Sequence, residues 1–250
     1  MARQRGLIKL KGTMGDITFY KSIDGYLARE KGGVEASRIA NDPAFVRTRE
    51  NNAEFGSSAM AGKVLRDTVR ELSMNTSDSR VTARLTKVMA QVKNLDPTSI
   101  RGERNVAVGI GTPEGKNLLK GFNFNNRALL GCVLHRPFEV QSATGEVTVG
   151  ILYPKNDVSY PQGATHVLFR SALAVVNFAT GESVMSVSAP ERYATNDVEQ
   201  ETVDVTPATP PVLTGTKFVL FSIEFVQHIN GADYPLKNGA YNVLNIVEVS

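Results

Sequence analysis

Apolar positions within 79–93 recur every three or four residues, whereas from Phe138 onward they alternate with a period of two. That change of period predicts helices first and strands afterwards. The cleanest stripe is Val81, Leu85, Val88 and Val92, which places a helix over 79–93, ended by Asn94, Asp96 and Pro97. A longer helix is predicted over 42–72, with Asp42 as N-cap and Pro43 in the first turn, where its missing N–H costs nothing. Phe45, Phe55, Ala59, Val64, Leu65 and Leu72 supply its apolar content. Gly56 and Gly62 each weaken a helix by about 1 kcal/mol relative to alanine, so they are read as admitting a close neighbour or marking a bend, the alternative being a break into two shorter helices near Gly56. The polar turn Asn75-Thr76-Ser77-Asp78 makes the two helices an antiparallel helical hairpin.

Residues 7–34 read as a β-hairpin. Leu7-Ile8-Lys9-Leu10 leads through Gly12 and Gly15 into 17–21, Ser22-Ile23-Asp24-Gly25 turns, and 26–29 returns. Asp-Gly supplies the backbone freedom a tight turn needs. A lone hairpin is marginal in water, so this one is expected to pack on its own body or on a neighbouring subunit. Farther on, Phe138–Gln141 with 146–149, 165–178 with 183–188, an edge strand at 201–205, and 212–227 with 241–249 read as strands; Asn230-Gly231 and Asn238-Gly239 lie in the last connection. Their number and spacing predict an immunoglobulin-like antiparallel β-sandwich. The fold class is therefore α+β, with a hairpin and helical region over 1–105, a connecting segment over 106–136 and the sandwich over 137–250. One cysteine and no tryptophan exclude the antibody-type Cys…Trp…Cys core.

Composition narrows the class. At 42% hydrophobic and 21% charged residues, the 250-residue chain is ordinary for a globular protein and unlike a disordered one. The single Cys132 excludes an internal disulfide framework and any multi-cysteine zinc site. Lys9 and Lys11 interrupt the only N-terminal apolar run, and the most apolar windows carry Arg170 and Glu224, so neither an export signal nor a membrane span is expected. The expected location is the cytoplasm or a particle assembled there. The net charge of +3 conceals an asymmetry: residues 1–105 carry 19 Lys and Arg against 12 Asp and Glu, residues 106–250 carry 9 against 13. A basic N-terminal half can meet nucleic acid, or the acidic half of a neighbouring copy, or merely solvent.

Two motifs invite an enzymatic reading and fail it. The run from Val106 to Asn117 resembles a strand followed by a glycine loop ending in Gly115-Lys116. Its glycines are three rather than four residues apart, Asn117 stands where a phosphate loop needs Ser or Thr, and Glu114 stands where the dinucleotide motif needs a third glycine. A turn with Thr112 capping a short helix is the preferred reading. Cys132 and His135 lie three residues apart, which on a strand puts them on opposite faces; a buried thiol and a satisfied histidine are expected. No catalytic, cofactor or metal residue is assigned.

The block Gly12-Thr13-Met14-Gly15-Asp16-Ile17-Thr18-Phe19-Tyr20-Lys21, with Asp24-Gly25-Tyr26-Leu27-Ala28-Arg29 and Asp42-Pro43-Ala44-Phe45-Val46-Arg47-Thr48-Arg49-Glu50-Asn51, resembles a group of proteins common in Bacteroidota genomes. The resemblance implies no activity, cofactor or site residue. The expected function is that of a non-enzymatic structural protein that self-assembles, as a filament, tube, shell or phage-like particle. Its candidate assembly residues are Ile17, Phe19, Tyr20, Tyr26, Leu27, Phe45, Phe55, Gly56 and Gly62. The alternatives are a binding or adhesion module using the sandwich loops, or a nucleic-acid-associated protein contacting anions through Lys21, Arg29, Lys31, Arg80, Arg84 and Lys87. No membrane partner and no small-molecule substrate are expected.

Overall fold

The structure, a computed structural model, describes residues 2–30, 32–198, 201–236 and 239–250. Its contacts separate two compact units, Met1–Arg49 and Glu50–Ser250.

The first unit holds a four-stranded antiparallel sheet in the order β1-β4-β3-β2, built from β1 (Ala2–Arg3), β2 (Gly12–Met14), β3 (Ile17–Ser22) and β4 (Gly25–Glu30). Ser22 pairs with Gly25, so Ile23 and Asp24 alone form the loop, and Gly25 sits at φ 104°, where a side chain is strained. Leu7-Ile8-Lys9-Leu10 is not a strand. Gln4 closes that segment into a loop, its amide donating to Leu10 and Leu27 carbonyls and accepting from Leu10 N at 2.8 Å, while Ala2 and Arg3 take the place beside β4. After the sheet come α1 (Ala36–Asn41) and a 3-10 turn (Pro43–Phe45). Asp42 caps that turn as expected, accepting from Ala44 N at 2.9 Å.

The helix predicted over 42–72 is thus divided: the turn, then α2 (Val46–Thr68), which begins in the first unit and continues in the second, then α3 (Arg70–Ser73). Next come α4 (Val81–Lys93), α5 (Val106–Gly109), α6 (Pro113–Leu119) and α7 (Leu130–Val133). The strands are β5 (Phe138–Gln141), β6 (Glu146–Leu152), β7 (His166–Val176), β8 (Ser183–Val187), β9 (Glu191–Ala194), β10 (Glu201–Val205), β11 (Thr216–Ile229), β12 (Ala232–Pro235) and β13 (Val243–Val249), with the short α8 (Pro154–Asp157) after β6.

All pairings are antiparallel. Strands β7 and β11 pair along eleven register positions and form the spine of a six-stranded sheet. Each shares its outer edge between two short strands, β8 and β9 on β7, β13 and β12 on β11. Both faces of this sheet are covered. On one side Ala172, Ala174, Val176, Phe218, Leu220, Leu244 and Ile246 pack with Leu65, Val69, Leu72, Leu85, Met89, Val92, Val106, Ile110 and Leu119 of the helical layer. On the other, Val167, Phe169, Leu173, Val219, Phe221, Ile223 and Phe225 meet Val147, Val149, Leu152, Val203 and Val205 of a three-stranded sheet ordered β10-β6-β5. The second unit is therefore three layers deep, helices on sheet on sheet.

The helices after residue 50 share a core with strands more than a hundred residues later, and the two compact units divide after Arg49. Residues 106–136 do not merely connect: Val106, Ile110, Leu119, Phe122 and Phe124 enter the helical core, and Leu130, Val133 and Leu134 enter the inter-sheet core. Val106–Gly109 is helical rather than a strand, because the Asn105 side chain caps it by accepting from Val108 N at 3.0 Å. Of the turn predicted at 238–239, Asn238 lies outside the described residues. No helix is long and apolar enough to cross a membrane among the described residues.

Candidate functional site

The register of the N-terminal sheet sorts its side chains onto two faces, because directly opposed residues point the same way. Ile17, Phe19 and Lys21 of β3 oppose Glu30, Ala28 and Tyr26, and on the outer strands Met14 and Gly12 oppose Ile17 and Phe19 while Ala2 opposes Ala28. One face therefore carries the apolar side chains of Ala2, Met14, Ile17, Phe19, Tyr26 and Ala28 together with the charged Lys21 and Glu30. Tyr20 and Leu27 belong to the other, with Thr13, Thr18, Arg29 and Arg3. Five of the candidate assembly residues thus divide three to two between opposite faces. Not one described residue of 2–49 is buried, and Met14 and Ile17 are 67% and 46% exposed. A four-stranded sheet with a largely apolar face and no buried residue lacks the core that normally stabilises one.

The other candidates are placed individually. Phe45 is half-buried beneath the Arg38 guanidinium, 5.8 Å from its ring centre. Phe55 is 62% exposed on α2, and beside it a Cβ at Gly56 meets nothing within 4 Å. Gly62 is buried, and a Cβ there lies 3.6 Å from Met89 and 3.7 Å from Leu85, so it faces α4 of its own chain.

Among the basic candidates, Lys21 lies over the Tyr26 ring at 5.6 Å and Arg29 over Tyr20 at 5.5 Å, cross-strand cation–π pairs on opposite faces. Lys31 lies outside the described residues. On α4 and its start, Arg80 and Lys87 are exposed, but Arg84 is committed: it pairs with Asp78 at 2.5 Å and stacks on Phe122 at 5.1 Å. Burial alone would raise the Asp78 carboxyl, yet donors from Arg80 N, Arg84 and Asn126 N hold it below its usual range.

The glycine run that resembles a nucleotide loop has a packing cause. A Cβ on Gly109 would stand 2.1 Å from the Val92 carbonyl oxygen, and one on Gly115 would stand 2.1 Å from the Gly109 oxygen. Glycine lets the α5 backbone close onto the end of α4 and the α6 backbone close onto α5. Thr112 caps α6 as expected, accepting from Gly115 N at 3.0 Å.

Sequence reasoning missed an ionic network under these helices. Glu54, 1% exposed, accepts from Arg104 through both oxygens at 2.8 Å, from Gly102 N at 2.8 Å, and from Lys93. Arg104 above all holds its pKa down at about 2. Nearby, burial would raise Asp96, but donors from Ser99, Thr98 and Asn105 overcome it and hold it well below the usual carboxylate range. Protein donors from both ends of the 94–105 loop engage these two carboxylates, which makes the network a clamp on that loop.

Two histidine sites complete the chemistry. Cys132 is exposed on α7, not buried, and His135 bonds Ser159 Oγ through Nε2 at 2.7 Å. At the far end of the large sheet His228 Nδ1 meets Asp233 at 2.6 Å, Arg192 reaches the same carboxylate at 3.1 Å, and the His166 ring centre is 5.5 Å from that of His228. Burial, then Arg192 and His228, push His166 below its usual range, while His228 and Arg192 hold Asp233 low. Four strands, β7, β9, β11 and β12, bring this cluster together across more than sixty residues, so no local spacing announces it. Among the described residues no three His, Cys, Asp or Glu side chains converge as a metal centre requires. Comparisons with protein-family models, curated proteins and solved structures match this chain to none of them.

Proposed function

We propose that the chain is a non-enzymatic structural protein that assembles with copies of itself through its N-terminal unit. The observation that carries this reading is the sheet of 2–30, which presents a largely apolar face, with Lys21 and Glu30 on it, and buries no described residue. A second copy is the partner favoured by charge: residues 1–49 carry ten Lys and Arg against five Asp and Glu, residues 50–250 eighteen against twenty. A positive unit on a slightly negative body attracts the body of the next molecule, and complementary fields fix its orientation. The resemblance to the Bacteroidota group is compatible with this reading and adds no activity to it. For 137–250 we propose the immunoglobulin-like arrangement as the finer description; two facing antiparallel sheets support it, with a helical cover that such a sandwich does not require.

The test is direct. The double substitution Ile17→Asp, Phe19→Asp in the full chain is expected to convert assemblies into a 27.1 kDa monomer by light scattering behind size exclusion. The thermal midpoint of the body should hold, since neither residue belongs to a buried core cluster. Unchanged assemblies in the variant, or a monomeric wild type at every concentration, would refute the proposal.

A further inference from the structure

We propose that a groove on the body, between α2, α5 and the β7–β8 turn, receives the Leu7-Ile8-Lys9-Leu10 segment of a second copy. This rests on the self-assembly reading and names the surface that completes it. The groove encloses about 630 Å³ and is lined chiefly by Met60, Ala61, Val64, Val106, Val108 and Phe178. Its walls are firm: Val64 and Phe178 pack against the helical core, and Phe178 meets Phe218 edge-on at 6.1 Å. Its mouth is apolar, Met60 being 59% and Val108 37% exposed.

The segment is the complementary half. Leu7 is 103% and Ile8 82% exposed, side by side in a loop whose ends Gln4 holds, so the pair is presented already ordered. A preformed loop loses less conformational freedom on docking than a loose tail. Arg5, Lys9 and Lys11 surround it, while exposed Glu103 and Glu182 stand on the two loops that frame the groove; the cations beside them are Lys63 on α2 and Arg101 and Arg104, which pair with Glu50 and Glu54. Opposite charge around an apolar plug and an apolar cleft sets register as well as attraction. Because plug and groove are different patches, each added copy leaves one of each free, and the contact builds open-ended rather than two-fold assemblies.

Two exposed substitutions separate the halves. Ile8→Asp spoils the plug and keeps the groove; Met60→Glu spoils the groove and keeps the plug. Each alone is expected to lose at least about tenfold in association, because docking now buries an unpaired charge. Each should keep the wild-type thermal midpoint. Mixed in equal amounts, they are expected to form a heterodimer in sedimentation velocity and nothing larger, the plug of one filling the groove of the other. Variants that assemble like wild type would overturn the groove assignment and leave self-assembly standing. Variants that block assembly but stay monomeric when mixed would overturn the pairing of plug with groove. A wild type that never assembles would overturn both proposals.

Discussion

Gly109→Ala is expected to destabilise the protein by at least about 3 kcal/mol, lowering the melting temperature by about 6–12 °C for a body of this size. A methyl group there would stand 2.1 Å from the Val92 carbonyl oxygen and 2.9 Å from its carbon, and both belong to the backbone of α4. No rotamer change relieves a clash with backbone. The α5 turn must move away, and with it Val106 and Ile110, which are each 2% exposed in the helical core. The Thr112 hydroxyl, which donates to the Gly109 carbonyl at 2.8 Å, would be disturbed at the same time. Gly56→Ala is the control: its Cβ meets nothing within 4 Å, and α2 should gain about 0.5–1 kcal/mol from the change. Urea or thermal unfolding of the pair reads the two signs. A wild-type midpoint for Gly109→Ala would contradict the close approach of α5 to α4.

What the sequence conveyed, and what it hid, follows from which interactions are local. The α4 stripe was readable because one face of one helix contacts one core: Leu85 and Val92 are fully buried, and Val81 and Val88 pack against the same cluster. The long strands were readable from β-branched and aromatic content, but their alternation is weak because β7 and β11 bury both faces, Ala172 and Ala174 toward helices, Phe169 and Leu173 toward the second sheet. The identity of those covering layers depends on pairings across a hundred residues and is invisible to periodicity. Strands β9 and β12, four residues each with no buried position, carry no apolar signal. Val106-Ala107-Val108 misled through its β-branched residues, where the Asn105 cap and the Gly109 contact override propensity. The assembly surface was half readable. The hairpin turn was evident, but which of Phe19 and Tyr20 shares a face with Tyr26 is decided by register, and one residue of slip reverses it.

The Glu54 network gives the second large effect, and it carries a pH signature. Removing the charge with Glu54→Gln leaves Lys93 and Arg104 beside a neutral amide at a site only 1% exposed, and breaking such a buried pair is expected to cost about 3 kcal/mol. Glu50→Gln is the comparison: its pair with Arg101 at 3.3 Å is only partly buried, Arg101 being half exposed, so removing its charge is expected to cost less than Glu54→Gln. Acid should distinguish a charge effect from a packing effect. The Glu54 pKa falls from 4.5 to about 2 on folding, so the unfolded chain binds its proton first as pH drops. Its stabilisation is therefore complete above about pH 4.5 and fades as pH falls from there towards 2. Asp96, also held low, contributes an acid dependence of the same sign that Glu54→Gln retains. The variant should then lose stability at pH 7 and show a shallower decline between pH 4.5 and 2 than wild type, both measured by denaturant unfolding. An equal loss at every pH would assign the effect to packing of the side chain, and a wild-type midpoint at pH 7 would remove Glu54 as the clamp on the 94–105 loop.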